Sequence, residues 1–151
     1  MVKEEAKLKL LLDHLDGSGS DEEYQAVRKL RAVGEKLPGL LLEKYRNEKK
    51  WGSRSACVYH AVRYAKESND AFILGLEGVR DKSKVVRYRA CMLLAYSLRE
   101  DALEELKNLL LNEKYNKSFD DFNAAIDAIE SKNPNYFIDR KHTGKLKLRI
   151  N

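Results

Sequence analysis

Pairs of small residues recur in this chain at an interval of 34 positions, and this repeat restricts the available folds more than any other feature. The pairs are Ala56-Cys57, Ala90-Cys91 and Ala124-Ala125, and Ala61 and Ala95 keep the same offset. Small side chains at matched positions let two helices approach closely, while one helix pair alone cannot bury its apolar face. The interval therefore predicts a stack of similar helix pairs.

Apolar periodicity and turn residues indicate eight short helices. Their predicted bounds are 2–16, 21–36, 39–48, 54–67, 71–80, 84–99, 102–113 and 119–131. Ser20 and Glu23 have the spacing of a capping box, and Ser53, Asp70 and Ser118 are expected to cap later helices. With only 8 Gly and 2 Pro residues, the chain lacks the many turns that an all-β fold needs.

Residues 132–151 are predicted to form a capping tail rather than another helix pair. Within this tail, Tyr136, Phe137 and Ile138 would cover the apolar surface that the last pair leaves exposed. Residues 145–150 alternate basic and apolar side chains, which is the pattern of an extended strand or a hairpin.

The segment that begins at Asp81 resembles a HEAT repeat. In that family an Asp ends the first helical region, Val-Arg opens the second and an Ala follows, as Asp81, Val86-Arg87 and Ala90 do here. The resemblance implies that Asp81 and Arg87 form an ion pair between helices. It weakens at residues 112–119, where no Val-Arg occurs and Asn112 replaces the Asp.

The resemblance implies an all-α, right-handed superhelix, which is a HEAT-like solenoid of about three to four helix pairs, in one domain of residues 1–151. Its clearest repeats span residues 52–131, whereas residues 1–51 match only as degraded N-terminal helices. The closing run from Asn133 to Lys145 is similar to the tail of short bacterial HEAT-type proteins. No activity follows from that similarity.

No known catalytic or cofactor-binding motif occurs in the sequence, since GxSxG, P-loop, HExxH and GxGxxG patterns are all absent. His14, His60 and His142 are far apart, and His60 falls at an apolar position of the repeat, which predicts a place in the core. Cys57 and Cys91 lack zinc-ligand spacing and are expected to be buried thiols. We therefore expect no enzyme activity, no cofactor and no metal.

The net charge of +5 is distributed unevenly along the chain. It is −2 over residues 1–43, +7 over 44–89, −5 over 90–139 and +5 over 140–151. A basic middle and a basic tail on either side of an acidic segment can form an anion-binding face, although solvated helix surfaces give the same pattern.

The strongest candidates for partner binding lie on the second helices of two repeats. Tyr88, Met92 and Tyr96 follow one another at i, i+4 and i+8, a stripe that belongs either to the core or to an exposed groove. In HEAT-type solenoids such helices line the concave face, and Tyr and Arg are favoured interface residues. The complete set of candidates is Arg54, Tyr59, Tyr88, Arg89, Met92 and Tyr96.

We therefore predict a non-enzymatic protein–protein interaction module that binds a partner with an acidic surface on its concave basic and aromatic face. It would act as an adaptor or as an immunity-type inhibitor of a bacterial toxin. The alternative is weak nucleic-acid binding through the basic region 44–89, with Lys49, Lys50, Lys82 and Lys84 as phosphate contacts. The N-terminal apolar run is too short for a signal peptide or a membrane span. We expect a cytoplasmic monomer without membrane association.

Overall fold

The computed structural model describes residues 2–151, which are 72% helical and contain no strand. The all-α class predicted from the sequence is therefore confirmed. The α-helices are α1 (Val2–Asp13), α2 (Asp21–Leu30), α3 (Leu37–Asn47), α4 (Trp51–Ala61), α5 (Asn69–Gly78), α6 (Lys84–Ser97), α7 (Leu103–Leu109) and α8 (Phe119–Glu130). Short 3-10 helices cover Arg31–Lys36, Val62–Tyr64, Glu100–Ala102, Glu113–Ser118 and Pro134–Phe137.

Consecutive helices pack in pairs, and the pairs are stacked in two layers. Helix α3 packs with α4, α5 with α6, and α7 with α8. The first helices α3 and α5 also pack together, as do the second helices α4 and α6, and α6 and α8. We call α3, α5 and α7 the first-helix layer, and α4, α6 and α8 the second-helix layer. Helices α1 and α2 pack against each other.

Small residues set the closest approach between α5 and α6. A Cβ atom added at Gly78 would lie 2.7 Å from the Cβ of Ala90, and one added at Gly75 would lie 2.7 Å from a methyl group of Leu93. Neither position has room for a larger side chain. The repeated small pairs share this buried environment, since all six members are buried: Ala56, Cys57, Ala90, Cys91, Ala124 and Ala125.

Helix boundaries depart from the predicted ones where local geometry overrides periodicity. The predicted helix 21–36 is α2 followed by a 3-10 helix, and Gly34 within that helix has a φ of 61°, in the left-handed region that favours glycine. Ser20 caps α2 as predicted, because its Oγ accepts the amide of Glu23 at 3.2 Å. The cap of α5 is Ser68 rather than Asp70, and its Oγ accepts the amide of Ala71.

The start of α4 also differs from the prediction. Trp51 is the first residue of the helix instead of part of a turn, and Ser53 is buried inside the helix rather than capping it. The loop at residues 16–17 crosses this first turn so closely that a Cβ atom on Gly17 or Gly52 would collide with the opposite backbone. Capping rules miss this crossing because it depends on a segment distant in sequence.

Asp81 forms an ion pair, but its partner is Arg54 and not Arg87. Arg54 Nε donates to Asp81 Oδ2 at 2.8 Å, and the phenol of Tyr45 donates to the same oxygen at 2.7 Å. Arg87 reaches Asp81 only at its backbone carbonyl, and its Nε donates to the Ser118 hydroxyl at 2.7 Å. Arg87 therefore joins turns through neutral acceptors, and the Ser118 side chain is used for this bond rather than for capping α8.

Burial of the Asp81 carboxyl opposes its ionisation. The hydrogen bonds from Arg54, the Ser83 amide and Tyr45 outweigh that cost, so the pKa of Asp81 is lowered from 3.8. The carboxylate is thus charged at neutral pH, and it joins the turn after α5 to both α3 and α4.

The first part of the tail packs against α8, and residues 145–150 do not form the expected strand or hairpin. Phe137 is fully buried, while Tyr136 and Ile138 are half-buried. Their 3-10 helix, Pro134–Phe137, packs against α8 and α6. Residues 145–150 form no strand, because no second strand lies beside them within residues 2–151.

Candidate binding surface

A buried pair of side chains supports one part of the molecular surface. Glu23 of α2 and His60 of α4 are both buried, and His60 Nε2 lies 2.6 Å from Glu23 Oε2. The other carboxylate oxygen of Glu23 accepts the amides of Gly17 and Gly19 at 2.8 and 3.2 Å. The sequence prediction that His60 lies in the core is confirmed, and the pair ties α4 to α2 and to the loop before it.

Two tyrosines lie against the buried imidazole. The rings of Tyr24 and Tyr59 both meet the His60 ring edge-on, with centroids 5.8 and 5.1 Å away. Burial lowers the pKa of His60, and the bond with Glu23 offsets this only in part. Burial also raises the pKa of Tyr24, and neighbouring Tyr59 adds to that effect. Because both phenol rings pack edge-on against the buried imidazole, His60 fixes their orientation.

Four arginines lie at or near this region, and one of them contacts Tyr59 directly. The guanidinium of Arg89 lies 4.6 Å from the centroid of the Tyr59 ring, in cation–π geometry. Partial burial lowers the pKa of Arg31, and the positive charges of Arg63 and Arg28 lower it further. Arg31 Nε is buried without a hydrogen-bond partner in residues 2–151. The arginine–tyrosine surface comprises Tyr24, Arg28, Arg31, Tyr59, Arg63 and Arg89.

The charges of this surface are not neutralised within the described part of the chain. None of its four arginines forms a salt bridge to a carboxylate of residues 2–151. After burial, the positive charges of Arg63 and Arg28 are what lower the pKa of Arg31, so these two charges lie near the Arg31 guanidinium. Elsewhere five arginines each pair with a carboxylate: Arg46, Arg54, Arg80, Arg99 and Arg140.

Of the six side chains predicted to bind a partner, the structure brings Tyr59 and Arg89 together on this surface. Arg54 is only 7% exposed and is held by Asp81. Met92 is 9% exposed and packs in the core. These two positions serve the fold, because their side chains have little surface to offer to another molecule.

The other two predicted residues lie on the same helix as Arg89 but have different neighbours. Tyr88 is 38% exposed, and its ring lies 5.3 Å from that of Phe137 in the tail. Tyr96 is half-buried, with the ammonium of Lys66 4.7 Å from its ring centroid. The stripe predicted from spacing is therefore neither wholly core nor a continuous groove.

Four members of the surface were absent from the predicted binding residues: Arg63, which lies in the basic region 44–89, and three residues of α2 and its extension. Tyr24, Arg28 and Arg31 follow one another at i, i+4 and i+7, which places them on one face of α2 and its extension. That spacing was a usable signal. The spacing alone did not point to a site, because only the packing of α2 against α4 brings this face of α2 next to Tyr59.

The predicted phosphate contacts lie at the turns between paired helices. Lys49, Lys50, Lys82 and Lys84 are all exposed, and none forms a salt bridge within residues 2–151. We call these four side chains the lysine edge. Lys49 and Lys82 line one depression of about 610 Å³, and Lys49 and Lys50 line a second of about 770 Å³ with Trp51, which is 56% exposed.

The two cysteines are buried free thiols, as predicted. Burial raises the pKa of Cys57 to about 12 and that of Cys91 well above its ordinary value. Both are thus protonated at neutral pH and act as small apolar residues of the core.

Comparison with known proteins gave no match: no family model fits the chain, and no curated protein or solved structure resembles it significantly. Within residues 2–151, no helix is both long and apolar enough to cross a membrane. The same residues hold no group of three or more His, Cys, Asp or Glu side chains placed to bind a metal ion.

Proposed function

We propose that this chain is a non-enzymatic binding protein that holds an acidic segment of a protein partner on the arginine–tyrosine surface. The observation that carries the proposal is the cluster of four arginines without carboxylate partners in residues 2–151. Like charges held close together raise the free energy of the folded protein. A ligand that supplies carboxylates there removes this repulsion and gains charge-assisted hydrogen bonds.

The two tyrosines give the surface an apolar component. Tyr24 and Tyr59 are half-buried and held by His60, so little conformational entropy is lost when a partner packs on them. Arg and Tyr are also the side chains that most often dominate the energy of protein interfaces. A mixed acidic and apolar segment therefore fits this surface better than a free anion does.

We propose further that the helix pairs form a right-handed, HEAT-like solenoid whose concave face carries this surface. The regular stacking of α3/α4, α5/α6 and α7/α8 supports the proposal, as does the recurrence of small pairs every 34 residues. Solenoids of this kind bind partners along extended surfaces. An adaptor and an immunity-type inhibitor of a toxin both fit, and the identity of the captured partner would separate them.

The test compares two variants that lose the same number of positive charges. In the four-arginine variant, Arg28, Arg31, Arg63 and Arg89 are each replaced by Ala. In the four-lysine variant, the residues of the lysine edge are each replaced by Ala. Each full-length variant is used to capture proteins from native lysate after nuclease treatment, and cross-linking with mass spectrometry maps the contact.

We expect an acidic protein at a stoichiometric level with the unchanged chain and with the four-lysine variant. The four-arginine variant should lose it, because the guanidinium groups that meet the partner's carboxylates are gone. Capture that survives in the four-arginine variant, or cross-links that map away from α2, α4 and α6, would overturn the proposal.

Nucleic-acid binding by the lysine edge is the second candidate. It is supported by four exposed lysines, of which Lys49 and Lys50 line one depression with the aromatic ring of Trp51, and Lys49 and Lys82 line another. Phosphate binding and base stacking use such groups. The expected dissociation constant is no tighter than about 10⁻⁶ M at physiological salt, as in non-specific binding.

This candidate is tested by titrating single-stranded and duplex DNA at several salt concentrations. For every phosphate that the four-lysine variant no longer neutralises, the slope of log affinity against log salt should become shallower by roughly 0.7 to 0.9. Nanomolar binding that disappears in this variant would make nucleic acid the leading function. Equal slopes for the variant and the unchanged chain would exclude nucleic-acid binding by the lysine edge.

A further inference from the structure

The end of the tail has an unused hydrogen-bonding edge. The amide of Leu148 donates to Asn135 Oδ1 at 2.8 Å. The amides of Lys147 and Arg149 have no hydrogen-bond partner within residues 2–151. The alternating burial of residues 147–150 is that of an extended chain, in which successive amides point to opposite sides. On that geometry the amides of Lys147 and Arg149 lie on the edge away from Asn135.

From Lys147 to Ile150 the side chains alternate as they do in a half-buried strand. Leu148 and Ile150 pack against the core, whereas Lys147 and Arg149 are exposed, as are Lys145 and, at 52%, Leu146. The apolar side chains fix the segment to the protein, and the basic side chains leave one face positively charged. Residues 145–150 therefore have the features of a strand whose neighbour is not part of residues 2–151.

The segment leads into the arginine–tyrosine surface. Asn151 Nδ2 donates to the hydroxyl of Tyr59, the ring over which Arg89 lies. The positive charges of the segment thus continue those of the surface, and one extended ligand can contact both.

We propose that residues 145–150 form a two-stranded β-structure with an extended, acidic strand of the partner. The inference rests on the proposed function, because it names the shape of the segment that this function requires. The partner strand accepts and donates backbone hydrogen bonds along the free edge. Its acidic side chains lie opposite Lys145, Lys147 and Arg149, where cross-strand pairs of opposite charge are favourable.

A second copy of this chain does not fit the same edge. Pairing two tails would place Lys145, Lys147 and Arg149 close to the same three charges, and like charges across a strand pair are destabilising. The occupant is therefore a strand of opposite charge.

The probes are three short synthetic peptides. In the first, Glu and Val alternate; the second has the same composition in blocks; the third is the alternating peptide with N-methyl groups on the backbone amides of one edge. Two full-length variants form a matched pair: Lys147→Ala with Arg149→Ala, and Lys147→Pro with Arg149→Pro. Both lose two charges, but only the proline variant also loses the two free amides.

Binding is measured by calorimetry, and amide exchange of the tail by NMR. We expect the alternating peptide to bind about tenfold more tightly than the other two, and the proline variant to bind it about tenfold more weakly than the alanine variant. The amides of Lys147 and Arg149 should become protected when this peptide binds. Equal affinity for alternating and block peptides, equal affinity of the two variants, unprotected amides or a dimer of the free chain would each overturn the proposal.

The four-arginine variant separates this inference from the proposed function. If it loses the partner protein while both tail variants retain it, the surface is correct and the strand is wrong. If the proline variant loses the partner while the four-arginine variant retains it, the strand is correct and the surface is wrong.

Discussion

The arginines of the first-helix layer and those of the arginine–tyrosine surface are in opposite electrostatic situations. In the first-helix layer, Arg46 of α3 binds Glu77 of α5, and Arg80 after α5 binds Glu105 of α7. Each pair joins one helix of the layer to the next. The arginines of the surface form no salt bridge within residues 2–151, and Arg31 lies close enough to Arg63 and Arg28 for their charges to disfavour its own. Paired charges join neighbouring helices in the first-helix layer, whereas the unpaired charges of the surface are those that the proposed function assigns to a ligand.

The difference does not come from a lack of acidic residues. The chain has 24 Asp and Glu residues against 29 Lys and Arg. Glu23 lies beneath the surface, but its carboxylate is buried and engaged with His60 and two loop amides. This acid therefore supports the surface from below and forms no salt bridge with its arginines.

The largest loss of stability should come from breaking the buried ion pair between Arg54 and Asp81. Arg54→Ala leaves the Asp81 carboxylate buried with only Tyr45 and an amide as donors. We expect a loss of about 3–5 kcal/mol in the free energy of unfolding, measured by urea titration. Replacing Arg54 by Met and Asp81 by Leu together should recover much of this loss. A loss below about 1 kcal/mol for Arg54→Ala would show that the pair does not hold the turns.

The next largest effect is a pH dependence of stability, which we expect from His60 beneath the arginine–tyrosine surface. Because the pKa of His60 is lowered in the folded protein, its contribution to stability is full above about pH 6.5, the ordinary value, and is lost as the pH falls towards the folded pKa. Thermal unfolding between pH 7.5 and pH 5 should show the decline, and His60→Gln should reduce it. Asp81 does not contribute in this window, since its lowered pKa affects stability only in more acidic solution. A decline that is equally steep in His60→Gln would contradict this assignment.

A smaller effect is expected for an exposed pair of the first-helix layer. The side chain of Arg80 is 59% exposed beside Glu105. Solvent screens such pairs, so Arg80→Ala should lower the free energy of unfolding by less than about 1 kcal/mol. Chemical denaturation of Arg80→Ala and Arg54→Ala under the same conditions measures the difference between the two losses. Equal losses for the two substitutions would mean that burial does not decide the strength of these pairs.

The smallest effect on stability is expected on the surface itself. Arg63→Ala removes a charge that is repelled by Arg31, so the melting temperature should stay the same or rise slightly. The same substitution should weaken capture of an acidic partner. Lys66→Ala, which removes a neighbouring charge that lies over Tyr96, is the control. A clear fall in melting temperature for Arg63→Ala would indicate a structural role and would weaken the comparison between the two regions.

Local patterns in the sequence determined the secondary structure and much of the core. Apolar periodicity placed all eight helices, and the small pairs at 34-residue spacing occupy buried positions as expected. The apolar residues Val86, Leu93 and Leu94 of α6, on the same helix as the pair Ala90-Cys91, are also fully buried. These features follow from side-chain spacing along a helix, which depends only on near neighbours. The burial of the two cysteines and of His60 was also predicted from the sequence and is confirmed.

Only the tertiary structure decided which charged groups meet. Arg54 and Asp81 are 27 positions apart, Arg46 and Glu77 are 31 apart, and Glu23 and His60 are 37 apart. An arginine on a helix surface looks the same in sequence whether a carboxylate faces it or not, since the packing of distant helices sets that distance. For this reason Arg54 was expected to bind a partner but is part of the fold, while Arg31 on α2's extension was overlooked and belongs to the surface.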